Sequence, residues 1–125
     1  MISTKDRSFR ALLVWRQAMQ LARDCHFLTK RFSREELYGM SIQIRRAAIS
    51  VPANIAEGSG RGTKRDFLNF LRIAQGSLRE LETYLLLAPQ VNLATPEMTA
   101  PLLIQIDSVA RLLNRLIQSL QPPPT

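Results

Sequence analysis

Basic side chains recur every seven residues along two segments of the chain, and they are the residues best suited to a recognition chemistry. Fourteen of the 17 basic residues are arginines, whose planar guanidinium suits paired contacts to phosphate. A seven-residue step keeps side chains on one face of a helix. The two predicted stripes are Arg16, Arg23 and Lys30 in helix one, and Arg65, Arg72 and Arg79 in helix three.

If both stripes face one side of the molecule, the six cations form a continuous basic band. Such a band would bind the phosphates of RNA or DNA in a salt-sensitive manner that is independent of base sequence. Phe27 could stack on a base, or contact another copy of the chain. The alternative interpretation is an ordinary charged face in contact with water.

The glycine-rich segment between helices two and three superficially resembles a phosphate cradle. A P-loop requires four residues between its glycines and a preceding strand, and this segment has neither. A smaller site is still open to it, because free amides at the start of helix three lie beside Arg61, Lys64 and Arg65 and could hold one phosphate. The alternative is a turn with solvated charges.

Catalytic and metal-binding patterns are not supported by the sequence. Cys25 and His26 are neighbours, and adjacent helical residues point in different directions, which suits a packed cysteine and a helix-edge histidine better than a nucleophile and its base. The chain has one histidine and contains neither an HExxH nor an ExxH pair. We therefore expect a protein that is not an enzyme and has no cofactor or metal.

Segment 40–61 of the predicted helix two carries three stripes. One is apolar and faces the core. The second is polar, and is either solvent-facing or a buried hydrogen-bonded seam with helix three; its residues and their candidate partners are Gln43, Arg46, Ser50, Asn54 and Glu57, with Ser77 and Glu80. The third is a small apolar strip of Ile42, Ile49, Ala53 and Ala56, which we expect to contact another subunit.

Four helices position these residues. Helix one runs from Ala11 to about Arg31, and helix two begins at a capping box of Ser33 and Glu36 or at Ser41. Pro52 predicts a kink in helix two. Thr63 caps helix three, which runs to about Ala88, and the Thr95-Pro96-Glu97 sequence begins helix four. Short connections predict an all-α, antiparallel up-down-up-down four-helix bundle.

The bulk composition agrees with one domain spanning residues 1–125, with a polar lead-in at 1–10 and a proline-rich tail at 121–125. The formal charge is +7, which makes an anionic partner plausible. No apolar run reaches the roughly 18 residues of a membrane span, and we expect no membrane contact. A lone cysteine and a start without a signal-peptide core favour the cytoplasm.

Several motifs together resemble a known family. The pieces QIRRA, SVPANIAEG and AQGSLRELE, and the segment from Phe9 to about Leu87 that holds them, are similar to the four-helix-bundle proteins encoded within intervening sequences of 23S rRNA genes. The resemblance implies a homopentameric ring with a positively charged surface. It also implies kinship to the accessory protein of diversity-generating retroelements, which partners a reverse transcriptase and its RNA.

Two hypotheses of function follow. The first is a non-enzymatic oligomeric bundle that binds nucleic acid, RNA in preference, through the stripes on helices one and three. The second is a scaffold or accessory subunit whose third apolar strip docks a partner such as a reverse transcriptase.

Overall fold

Four long helices make up the computed structural model, which describes residue 9, residues 12–36 and residues 39–121. The helices are α1 (Leu13–Thr29), α2 (Met40–Ser59), α3 (Lys64–Gln90) and α4 (Pro96–Leu120), with a 3-10 turn at Arg34–Glu36. No strand occurs within the described residues. The all-α four-helix bundle expected from the sequence is confirmed. The lead-in before residue 9 and the tail after residue 121 lie outside the described residues, as does the expected start of helix one at Ala11.

The helices pack as a square in chain order. α1 packs on α2, α2 on α3, α3 on α4, and α4 closes the square on α1. No Cα of α1 comes within 8 Å of a Cα of α3 among the residues described. Helices α1 and α3 are therefore diagonal to each other, which decides where their outer faces can point.

The core is almost entirely aliphatic. Each helix contributes a stripe at three- and four-residue spacing, as expected from the sequence. The largest side chains with essentially no exposure are Leu21, Ile44, Ile55, Leu71, Leu78, Leu81, Leu85, Ile106 and Leu113. This packing holds the four outer faces, and the grooves between adjacent helices, in fixed positions.

The helix starts at α3 and α4 form as the sequence predicts. The Thr63 side chain accepts a hydrogen bond from the Asp66 amide at 3.1 Å. The Thr95 hydroxyl accepts one from the Met98 amide, while the Met98 sulfur accepts from the Thr95 amide. Both caps satisfy amides that a helix start would otherwise leave without partners.

The predicted start of helix two is wrong. Ser33 precedes only the 3-10 turn, Gly39 occupies the cap of α2 without a side-chain hydrogen bond, and Ser41 is buried inside the helix. Gly39 has backbone angles outside the helical range (φ −106°, ψ −114°), so the regular helix begins after it. Pro52 lies within the continuous α2, and the kink expected there stays a prediction.

Close packing of α2 on α3 depends on Gly58 near the end of α2. A Cβ at this position would come within 2.7 Å of the Phe70 Cβ and 3.0 Å of the Phe67 ring. Only glycine allows the two helices to converge so closely before the turn into α3. The start of α3, with its basic residues, lies at the same end of the bundle as the end of α4.

Candidate nucleic-acid interface

The two basic stripes lie on opposite sides of the bundle. All six of their residues are exposed. Because α1 and α3 are diagonal, their outward faces point away from each other. The prediction of one continuous band across both helices is therefore wrong, and each stripe has to be considered with the neighbours it actually has.

The first half of α3 and the last turns of α4 form an open groove of about 740 Å³. Three cations lie along its α3 side: Lys64, Arg65 and Arg72. The other residues that line it are neutral, namely Leu68, Asn69, Ser119, Leu120 and Gln121. None of the three cations forms an ion pair with an acidic side chain that the structure describes. The groove therefore has one cationic wall, one neutral wall and no acidic residue.

A second hollow of about 390 Å³ extends this groove along the same two helices. Arg72 lines both hollows, and Arg79 lies at the far end of the second one. The Gln75 amide donates a hydrogen bond to the Asn114 side-chain oxygen at 2.6 Å, which links α3 to α4. From Lys64 to Arg79 the basic side measures about 23 Å at 1.5 Å per residue. We call the whole feature the α3–α4 groove.

Arg79 differs from the other cations of the groove. Its guanidinium forms an ion pair with Glu82 at 2.9 Å, although its side chain remains 63% exposed. The pair engages one of the guanidinium nitrogens in the recorded hydrogen bond. Arg79 can therefore still donate to a ligand, but with a smaller net charge at its position than the three unpaired cations have.

The remaining predicted phosphate-binding residues lie elsewhere. Arg61 pairs with Glu57 at 3.2 Å and its guanidinium lies 4.9 Å from the Phe70 ring centroid, so it packs over the turn instead of lining the groove. On α1, Arg23 donates a hydrogen bond to Gln20, and the Lys30 ammonium lies 5.8 Å from the Phe27 ring centroid. Arg16 is exposed on the same helix, and no residue of the α1 stripe lines the α3–α4 groove.

The polar line of helix two is only partly a seam. The Ser50 and Ser77 hydroxyls are 2.7 Å apart, and the Asn54 amide donates to the Ser50 carbonyl and hydroxyl oxygens. Arg46 is exposed, Glu57 pairs with Arg61, and Glu80 accepts a hydrogen bond from Tyr84. The seam therefore consists of three small polar residues that join α2 to α3, and the charged members expected in it lie outside.

The third apolar strip borders a different groove, of about 450 Å³, between α1 and α2. Ile42 and Ile49, 36% and 53% exposed, line it together with Met19 of α1. Ala53 is exposed and Ala56 is half-buried, beyond this groove along α2. Three arginines flank the apolar surface: Arg23, Arg45 and Arg46. We call this feature the α1–α2 groove.

Sequence reasoning missed residues that act across helices. Arg45 donates from its Nε to the Thr29 hydroxyl at 2.7 Å. This hydrogen bond holds the Arg45 side chain beside the end of α1, in the α1–α2 groove. Asn69, Gln75 and Asn114 line the α3–α4 groove, and nothing in their local sequence distinguishes them from ordinary exposed amides. The order in which the helices pack could have identified the last three, because it places α3 and α4 side by side as the two walls of the groove.

Cys25 and His26 are separated by burial. Cys25 is fully buried, and burial together with the nearby Asp24 carboxylate raises the pKa of its thiol from 9.0 to about 12. A thiol with this pKa is protonated at neutral pH and is a poor nucleophile. His26 is exposed and lines the α1–α2 groove. The described residues contain no group of three or more histidine, cysteine or acidic side chains placed to hold a metal.

Comparison with known families places the chain. The family model of the 23S rRNA-intervening sequence protein matches residues 10–115, which include the first three helices and most of the fourth. The chain belongs to this family. The resemblance noted in the sequence is confirmed at this level, and the kinship to retroelement accessory proteins stays a prediction.

A solved structure supports the same placement. The crystal structure of a protein of unknown function from the S23 ribosomal protein family of Bacteroides thetaiotaomicron is similar to this chain, with a TM-score of 0.79 and 27% identity. The match covers 85% of this chain and 99% of that one. No curated protein matches the chain. None of the described helices is long and apolar enough to cross a membrane.

Proposed function

We propose that this protein is a non-enzymatic RNA-binding bundle that holds an RNA backbone in the α3–α4 groove. The observation that carries the proposal is the presence of three unpaired cations, Lys64, Arg65 and Arg72, along a groove with no acidic residue among its lining side chains. A row of positive charge beside neutral amides suits phosphate and sugar oxygens. A family named for an intervening sequence of rRNA genes favours RNA as the polyanion.

Contacts of this kind bind the backbone and do not read bases. Arginine and lysine supply charge, while the amides of Asn69, Gln75 and Gln121 can hydrogen-bond phosphate or ribose oxygens. Affinity should therefore fall steeply with salt and change little with base sequence. The stripe on α1 is not part of this site in the proposal.

Titration of labelled RNA at several salt concentrations tests the proposal. Fluorescence anisotropy should show an affinity that weakens by about 0.7 log units per phosphate contact for each tenfold increase in salt, for a single strand. If the protein binds neither structured nor single-stranded RNA at low salt, the proposal is contradicted.

A second candidate function is protein docking at the α1–α2 groove. The observation that favours it is an exposed apolar surface, centred on Ile49 and Met19, with arginines at its edge. A surface of this kind suits contact with a second copy, and the homopentameric ring implied by the resemblance would cover it. A partner such as a reverse transcriptase is the alternative occupant.

The assembly state tests this second candidate. Light scattering should give about 71 kDa for five chains of 14.2 kDa each, and Ile49→Asp should lower that mass because it places a carboxylate in an apolar contact. Ile104→Asp is the matched control, since Ile104 is 69% exposed on α4, away from this groove. Monomers at micromolar concentration would contradict the ring, and a pull-down of another protein that survives high salt but fails with Ile49→Asp would favour the alternative occupant.

A further inference from the structure

Gly76 is a glycine in the middle of α3 that the fold itself does not require. It is exposed, and a Cβ built at this position would meet no atom within 4 Å. A glycine in a helix interior lowers helix stability relative to alanine. Close packing against α3 requires a glycine at Gly58, whereas no contact within the monomer requires one at Gly76.

The residues around Gly76 indicate a role in ligand binding. Gly76 lies in the α3–α4 groove, four residues after Arg72 and three before Arg79, so a guanidinium lies about one turn to either side of it. The Gln75–Asn114 hydrogen bond lies beside it and joins the two walls. The result is a patch of bare helix backbone between two cations, where a ligand can approach the main chain closely.

We infer that a single strand of RNA passes directly over Gly76, with its sugar–phosphate backbone against the bare helix and phosphates at Arg72 and Arg79. The inference rests on the proposed RNA-binding function and adds the strandedness and the path of the ligand. Arg79 keeps donors for this contact, since its side chain is 63% exposed and its recorded ion pair uses one nitrogen.

The shape of the groove favours a single strand. Packed helices lie about 8–10 Å apart, so the groove between them is narrow. A rigid duplex would touch only the tops of its walls, whereas a flexible strand can follow the α3 wall and reach Gly76. No aromatic side chain is among the described residues that line the groove, so bases have no stacking platform there and point away from the helix.

Substitution of Gly76 separates this contact from folding. Gly76→Ala should raise the thermal midpoint by about 2–4 °C through helix propensity. The same change should weaken the binding of single-stranded oligouridine about threefold, and Gly76→Leu about tenfold, because the added atoms lift the strand off the backbone. Binding of a blunt RNA duplex of the same length should be weaker from the start and unchanged by either substitution.

Ala100→Leu is the matched control, since Ala100 is an exposed position on α4 outside the groove. It should leave oligouridine affinity unchanged, and circular dichroism should show all variants to be folded. If Gly76→Leu binds oligouridine as the parent does while the salt dependence persists, the path over Gly76 is wrong and the proposed function stands. If the parent binds no RNA, both are wrong. If Gly76→Leu lowers the mass seen by light scattering without changing RNA affinity, the bare patch contacts a protein, and the inference is wrong.

Discussion

Removal of the three unpaired cations of the α3–α4 groove should abolish the salt dependence of RNA binding. Each phosphate contact of an unpaired cation to a single strand contributes about −0.7 to the slope of log affinity against log salt, so Lys64, Arg65 and Arg72 together predict a slope of about −2.1. Arg79 adds little to this slope, because Glu82 already neutralises its charge. Between 50 and 200 mM salt, the parent should then lose affinity by about 18-fold. Arg72→Gln alone should reduce the slope to about −1.4 and that loss to about sevenfold. The variant with all three residues changed to glutamine should have a slope near zero.

The matched control removes the same amount of charge from elsewhere. Arg16, Lys30 and Arg31 are exposed on α1 or just after it, outside the α3–α4 groove. Their joint replacement by glutamine lowers the net charge as much as the groove variant does. Anisotropy titrations with oligouridine should give this control the slope of the parent. Equal loss of slope in both triple variants would refute the reasoning, because binding would then follow net charge and not the groove.

Two further predictions concern the packing of the bundle. Gly58→Ala should destabilise the fold by about 1–2 kcal/mol, since the new Cβ would lie 2.7 Å from the Phe70 Cβ. Gly60→Ala should be nearly neutral, because its new Cβ would meet only ordinary contacts at 3.7 Å. Equal melting temperatures of the two variants would contradict this prediction. Cys25 should resist alkylation at pH 8 in the folded state and react once urea unfolds the chain. Because folding raises the pKa of this thiol from 9.0 to about 12, the thiol's contribution to stability should be complete below pH 9 and fall as pH rises towards 12; stability that increases over this range would contradict the burial of the thiol.

Local signals in the sequence were sufficient for most of the fold. Apolar residues at helical spacing define the core stripes, and Thr63 and Thr95 mark helix starts because their side chains satisfy the first free amides. The start of α2 was predicted wrongly because that prediction, too, relied on a local pattern alone. Ser33 and Glu36 match a capping box in type and spacing, but the conformation of Gly39 ends the irregular segment, and regular helix begins only after it.

The site was harder to predict from the sequence, because it depends on which helices are adjacent. Seven-residue spacing shows that Arg65, Arg72 and Arg79 share a face, but not which residues lie across from them. Short connections make successive helices neighbours, and this already places α1 diagonal to α3 in a square bundle. The predicted band across both helices was therefore inconsistent with the predicted fold, and the actual second wall, with Asn114 and Gln121, belongs to α4.

Photo-crosslinking of RNA to the folded protein, with the adducts mapped by mass spectrometry, tests the RNA-binding surface most directly. With oligouridine that carries an aryl azide on backbone phosphorothioates, adducts should fall on residues 64–79 of α3 and 110–121 of α4, the two walls of the α3–α4 groove. Adducts concentrated on α1 or on the α1–α2 groove would contradict the assignment of RNA binding to this face of the bundle.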